Sequence, residues 1–171
     1  MRLVFSLPAV LLFSIFASSG GRAQAPSPAP APTLTLIGEG GTSKVLTMAD
    51  LAALPQFEVS HPETEGPPTT LKGPSVRSLM TLVGAPTGTM LRGPAMVLVV
   101  MAEADDGLKV AYTLTELDEQ FGNRLAVVGL TQNGAPIPAE DGPLRIAVAG
   151  DQYRARWTRH VARLRLVRVG G

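Results

Sequence analysis

The chain has 171 residues, with 15 lysines and arginines against 14 carboxylates and no cysteine. Lack of cysteine excludes disulfides, thiolate metal sites and a cysteine nucleophile, so the fold rests on packing alone. A net charge near zero argues against general nucleic-acid binding, which calls for a basic domain.

The chain opens with a pattern typical of export signals. Arg2 supplies a basic start, and Leu3 to Ala17 is an apolar run short for a membrane span. Small residues follow, and Ala23-Gln24-Ala25 has the form of a cleavage site with Pro26 behind it. We set residues 1–23 as the signal peptide, with cleavage after Ala25 as the alternative and an uncleaved anchor as the competing reading. Residues 24–33, QAPSPAPAPT, alternate proline with small residues and read as an extended spacer. One domain of ordinary size is expected over 34–171, in a periplasmic or secreted setting, with no membrane span after signal cleavage.

Within that domain, Leu34 to Ile37 predicts a strand before a glycine-rich turn. Thr47 and Asp50 form a capping box that opens a short helix ended by Pro55. Phe57 to Ser60 reads as a strand, His61 to Pro68 as a polar loop and Thr69 to Lys72 as another strand. Val76, Leu79, Met80 and Val83 fall at helical spacing and precede Gly84. Ala95 to Ala102 predicts a buried strand, Asp106-Gly107 a hairpin into Leu108 to Tyr112, and Thr113 with Glu116 a second capping box. Leu125 to Leu130, Leu144 to Val148 and Leu164 to Val169 complete the predicted strands, and 151–161 is expected to hold a helical turn. With no regular strand-helix-strand rhythm, the fold class is α+β, mainly mixed sheet with short helices.

Charge is distributed unevenly. From Leu34 to Asp141 six basic residues face thirteen acidic ones, whereas from Gly142 onward seven arginines face only Asp151. Arginines gathered by folding make a site for phosphate or carboxylate. Arg145, between Leu144 and Ile146, is expected to point away from both. Arg156, Arg159 and Arg163, spaced by three and four, are expected on one face of a helical turn, and a solvated basic face is the competing reading. Trp157, the single tryptophan, reads first as a core anchor and second as a stacking platform. His61, Glu63 and Glu65 carry donors for a hard or borderline metal, but no established metal-ligand pattern surrounds them. No metal site and no catalytic residue is assigned.

The order of these pieces resembles the oxidoreductase molybdopterin-binding domain family, which has the sulfite-oxidase fold. The pieces are FEVSHPETEG, TTLKGPSVRSLMTLVG, DDGLKVAY, NGAPIPAEDGPLRIAVAGD and RWTRHVARLRLVRV. The resemblance covers essentially the whole chain after the spacer, and GPLR with RWTR is its most specific part. It implies molybdopterin as a cofactor, with Arg145 contacting the pterin and Arg159 near its phosphate. Arg156, Trp157 and His61 are further candidates for that site. It also implies a molybdenum-ligating cysteine in the loop after the early strand. Here the loop reads Ser60-His61-Pro62-Glu63-Thr64-Glu65-Gly66, and neither a hydroxyl nor an imidazole replaces a thiolate. Glu140 stands where the family often has asparagine, five residues before the arginine.

The sequence therefore points to an exported domain that keeps this fold and binds an anionic small molecule or a periplasmic partner protein, without molybdenum redox catalysis. The alternatives are an active molybdopterin-dependent oxidoreductase with a non-cysteine ligand, and a purely structural interaction module.

Overall fold

The computed structural model describes residues 31–170; the expected signal peptide and most of the spacer lie outside them. The fold is α+β, dominated by strands, with three short α-helices. In chain order these are β1 (Thr33–Ile37), β2 (Ser43–Thr47), α1 (Met48–Ala53), β3 (Phe57–His61), β4 (Thr69–Gly73) and α2 (Val76–Thr81). Next come β5 (Leu98–Ala104), β6 (Lys109–Thr113), α3 (Leu114–Leu117), β7 (Ala126–Gly129), β8 (Thr131–Gln132), β9 (Ala135–Pro136), β10 (Arg145–Val148) and β11 (Val161–Arg168). No described helix is long and apolar enough to cross a membrane.

A five-stranded sheet runs β2-β1-β11-β5-β6, and only the β1–β11 pair is parallel. Its register stacks apolar side chains on one face. Leu36 pairs with Leu164, Leu164 with Ala102, Leu166 with Val100 and Val100 with Tyr112, all buried. Burial of such side chains, about 1.5–3 kcal/mol each, is the main favourable contribution to the fold. The four-stranded sheet β3-β4-β8-β9 is antiparallel, and β10 pairs with β7. Gly73 is where β4 meets β7: a Cβ there would lie 1.8 Å from the Val128 carbonyl oxygen, so only glycine permits the approach.

The Thr47–Asp50 capping box forms as a local unit, whereas at Thr113–Glu116 only the threonine half of the expected box is present. Thr47 accepts from the Asp50 amide while Asp50 accepts from the Thr47 amide, and Thr113 accepts from the Glu116 amide. The Asp106-Gly107 turn closes as expected. Gly107 takes φ +91°, and Asp106 Oδ1 accepts from the Leu108 amide at 2.9 Å.

Three expectations need correction. Gly93–Val97 forms a 3-10 turn with Pro94 near its start, so the apolar strand begins at Leu98 and runs to Ala104. Strand β2 was not anticipated. It is mostly exposed and lacks a clear alternation, and it forms because the Gly38–Thr42 turn folds it back onto β1.

The arginine-rich segment holds only a 3-10 turn at Arg154–Arg156, so Arg156, Arg159 and Arg163 do not share a helical face. Its backbone is committed elsewhere. The Thr158 carbonyl accepts from the Ile146 amide, and the Leu144 carbonyl accepts from the Val161 amide, so the chain lies extended beside β10. Tyr112 anchors this stretch from below. Its hydroxyl donates to the Arg156 carbonyl oxygen, and burial pushes its pKa up to about 12.

Candidate functional site

Arg145 sits on β10 between fully buried Leu144 and Ile146, but it is not solvent-facing: only 6% of the residue is exposed. Its Nη1 donates to Asp141 Oδ2 at 2.5 Å and to Gln132 Oε1 at 3.3 Å, while its Nε is buried without a partner. Burial pushes the Arg145 pKa down; Asp141 opposes this, and Arg159 and Arg154 add to the lowering. A guanidinium stays protonated at neutral pH regardless.

The second oxygen of Asp141 takes a second arginine. Arg159 Nε lies 3.1 Å from Asp141 Oδ1, so two guanidiniums share one carboxylate. Arg159 is the outer partner, with 60% of its side chain exposed. The local backbone fixes this meeting. Gly142 takes φ +134° in a crowded turn, and His160 takes φ +49° while its amide donates to the Asp141 carbonyl. His160 Nε2 lies 3.1 Å from the Glu140 carbonyl oxygen and so carries the proton of that bond.

Trp157 forms the floor. It is 4% exposed and its Nε1 donates to the Val148 carbonyl at 3.3 Å. The Arg145 and Arg154 guanidinium carbons lie over its ring at 5.6 and 5.9 Å from the centroid, within cation–π range. His61 meets the same ring edge-on at 5.6 Å. Arg154 in turn clasps the 60–66 loop through a bidentate pair with Glu63 at 2.7 and 2.8 Å.

Together these groups line an open cleft of about 720 Å³. Arg145, Arg154 and Arg159 line it together with Asp106, Glu140, Asp141, Gln132 and Trp157. The basic segment is therefore balanced locally by acids from earlier in the chain.

The structure thus brings Arg145, Arg159 and Trp157 to one cleft, with His61 against Trp157. Arg156 does not line it. Its guanidinium is held by Asp151 at 2.8 and 2.9 Å and by Glu116 at 3.1 Å, and it stacks on Tyr112 at 5.6 Å. Asp141, Gln132 and Arg154 are site residues that the sequence reading did not single out. Asp141 precedes the Gly-Pro-Leu-Arg motif directly, and its place four residues before Arg145 was the available signal.

The donors beside the cleft do not fit a thiolate-ligated molybdenum centre. The chain has no cysteine. The Ser60 hydroxyl is hydrogen-bonded to Thr70 Oγ1 at 2.7 Å, and His61 Nε2 donates to the Gln152 carbonyl at 3.3 Å. Among the described residues no three His, Cys, Asp or Glu side chains gather as a metal-ligand group.

Glu63 gives the clasp a pH signature. The Thr69 hydroxyl, then Arg154 and His61, hold its pKa below the ordinary 4.5, against the opposing effect of burial. A carboxylate lowered on folding contributes stability above its ordinary pKa, and this is lost as pH falls through the folded value. Melting temperatures measured from pH 6 to pH 2 are expected to fall less steeply on the acid side in Thr69→Val than in the wild type. Parallel curves would show that Thr69 does not hold the Glu63 charge.

No family model matches the chain, and no curated protein matches it. Among solved structures, it is similar to the sulfane dehydrogenase SoxCD from Paracoccus pantotrophus, with a TM-score of 0.57 and 16% identity. The match covers 82% of this chain and 39% of that one. The two share a fold at that level. The chain spans about two fifths of the length of the protein it matches.

Proposed function

We propose that this chain is an exported domain of the sulfite-oxidase, molybdopterin-binding fold that binds an anionic ligand or partner without molybdenum redox catalysis. The observation that carries this reading is the convergence of Arg145 and Arg159 on one cleft over Trp157. The order of motifs along the chain and the likeness in fold to a sulfane dehydrogenase support the fold assignment. The lack of any cysteine supports the loss of the thiolate-dependent reaction.

In this reading residues 1–23 direct export, 24–33 space the domain from the cleaved end, and 34–171 fold in the periplasm or outside the cell. Should a pterin be held here, Arg145 and Arg159 are the residues to contact it, and Trp157 supplies an aromatic floor. The cofactor would then serve as a ligand.

Protein purified from its native host tests this. It is expected to contain no stoichiometric molybdenum and to show no sulfite oxidation or sulfoxide reduction with an artificial electron carrier. Stoichiometric molybdenum with turnover would establish the competing reading, an active oxidoreductase with a non-cysteine ligand, which the likeness to a dehydrogenase favours.

A further inference from the structure

Two guanidiniums that meet on two oxygens of one anion describe how a protein grips an oxyanion ligand. Here the anion is part of the chain. Asp141 Oδ2 lies 2.5 Å from Arg145 Nη1 and Asp141 Oδ1 lies 3.1 Å from Arg159 Nε. We propose that Asp141 is a resident competitor in the cleft, occupying the position of the ligand's anionic group and selecting doubly charged tetrahedral oxyanions over monocarboxylates. The proposal rests on the anion-binding reading of this cleft.

The surroundings fit a side chain that swings while its backbone stays fixed. The Asp141 amide donates to the Pro138 carbonyl at 2.9 Å, and its own carbonyl accepts from the His160 amide at 3.2 Å. Beyond its pairs with Arg145 and Arg159, the carboxylate is positioned only by two side-chain torsions, and 15% of the side chain already reaches solvent. Release therefore needs no change in the turn. Arg145 gives a reason for another anion to enter. Its side chain is 7% exposed, its one bonded nitrogen is Nη1, and its buried Nε has no partner among the described residues.

The ligand class follows from the exchange. A tethered carboxylate acts at an effective concentration of roughly millimolar or more. A free monocarboxylate offers the arginines the same two oxygens and the same charge, so it loses to the tethered copy. Sulfate, phosphate or a phosphate monoester brings additional acceptor oxygens and a second negative charge. Such an anion can satisfy Arg145 and Arg159 together after Asp141 has turned away.

The competitor also sets affinity. If Asp141 covers the arginines about nine-tenths of the time, the apparent affinity for a free anion is reduced about tenfold. Titration of sulfate and of acetate at fixed ionic strength, into the wild type and Asp141→Asn, tests this. Sulfate is expected to bind Asp141→Asn about tenfold more tightly, and acetate is expected to register only with the variant.

Equal sulfate affinity in the two proteins would overturn the role of Asp141 while leaving the cleft as an anion site. Sulfate binding to neither would overturn the anion-site reading, and this inference with it. A measurement on the wild type stands independently of whether the variant folds. The Asp141 carboxyl carbon resonance is expected to move toward that of a free carboxylate as sulfate saturates. Saturation with that resonance unchanged would overturn the proposal.

Discussion

Trp157→Ala is expected to destabilise the domain by about 3–5 kcal/mol, the cost of truncating a large buried aromatic. For a domain of this size that is a fall in melting temperature on the order of 10–15 °C. The residue is 4% exposed and its indole makes four contacts at once. It donates to the Val148 carbonyl and lies under the Arg145 and Arg154 guanidiniums. It also receives the edge of His61. Trp157→Phe retains an aromatic face and is expected to lose less than about 2 kcal/mol, mainly through lost volume and the lost indole donor. A loss within about 1 kcal/mol for Trp157→Ala, by thermal or denaturant unfolding, would show that the ring is not a core anchor.

Arg145→Ala is expected to cost roughly 3 kcal/mol, at the low end for breaking a buried ion pair. The low end applies because Asp141 keeps Arg159 as a second partner. Most of this loss comes from the carboxylate left behind in a mostly buried position. Replacing both partners is a different experiment. Arg145→Met keeps the length of the stem, and Asp141→Asn removes the orphaned charge. The double variant is therefore expected to lose less stability than the sum of the two single losses, by more than about 1 kcal/mol. Strictly additive losses would show that Arg145 and Asp141 do not act as a pair.

Much of the fold was legible because it follows from local chemistry. Thr47 with Asp50 and Thr113 with Glu116 cap helices within three residues of each other. The Asp106-Gly107 turn likewise depends on its own backbone. Strand β2 was not legible, since its exposed, weakly patterned residues become a strand only through pairing with β1. A helical turn does form at Arg154–Arg156, but the expectation that Arg156, Arg159 and Arg163 share one face failed for a related reason. Trp157, Thr158 and Val161 are committed to the β10 side of the fold, and no periodicity within 151–161 reveals that.

The candidate site shows the same division. Arg145 and Arg159 stood out as charges in sequence, but their partners did not. Glu63 lies 91 positions from Arg154, and Glu116 lies 40 positions from Arg156. The acidic excess of the first part of the chain neutralises the basic excess of the last part only after folding. Asp141 is the informative case. It is close in sequence to Arg145, yet its role also depends on Arg159, which only the fold brings to it.

Arg145 and Arg159 are expected to hold an anion jointly, and calorimetric titration of inorganic phosphate tests this most directly. The proteins compared are the wild type, Arg159→Ala, and Arg165→Ala as a control on the sheet surface beside Glu103. Saturable binding is expected in the wild type and in Arg165→Ala. In Arg159→Ala it is expected to weaken about tenfold to a hundredfold, the cost of one charge-assisted hydrogen bond. If phosphate gives no saturable heat, or binds all three proteins alike, the shared anion site is wrong and the arginines serve only to pair the acids around them.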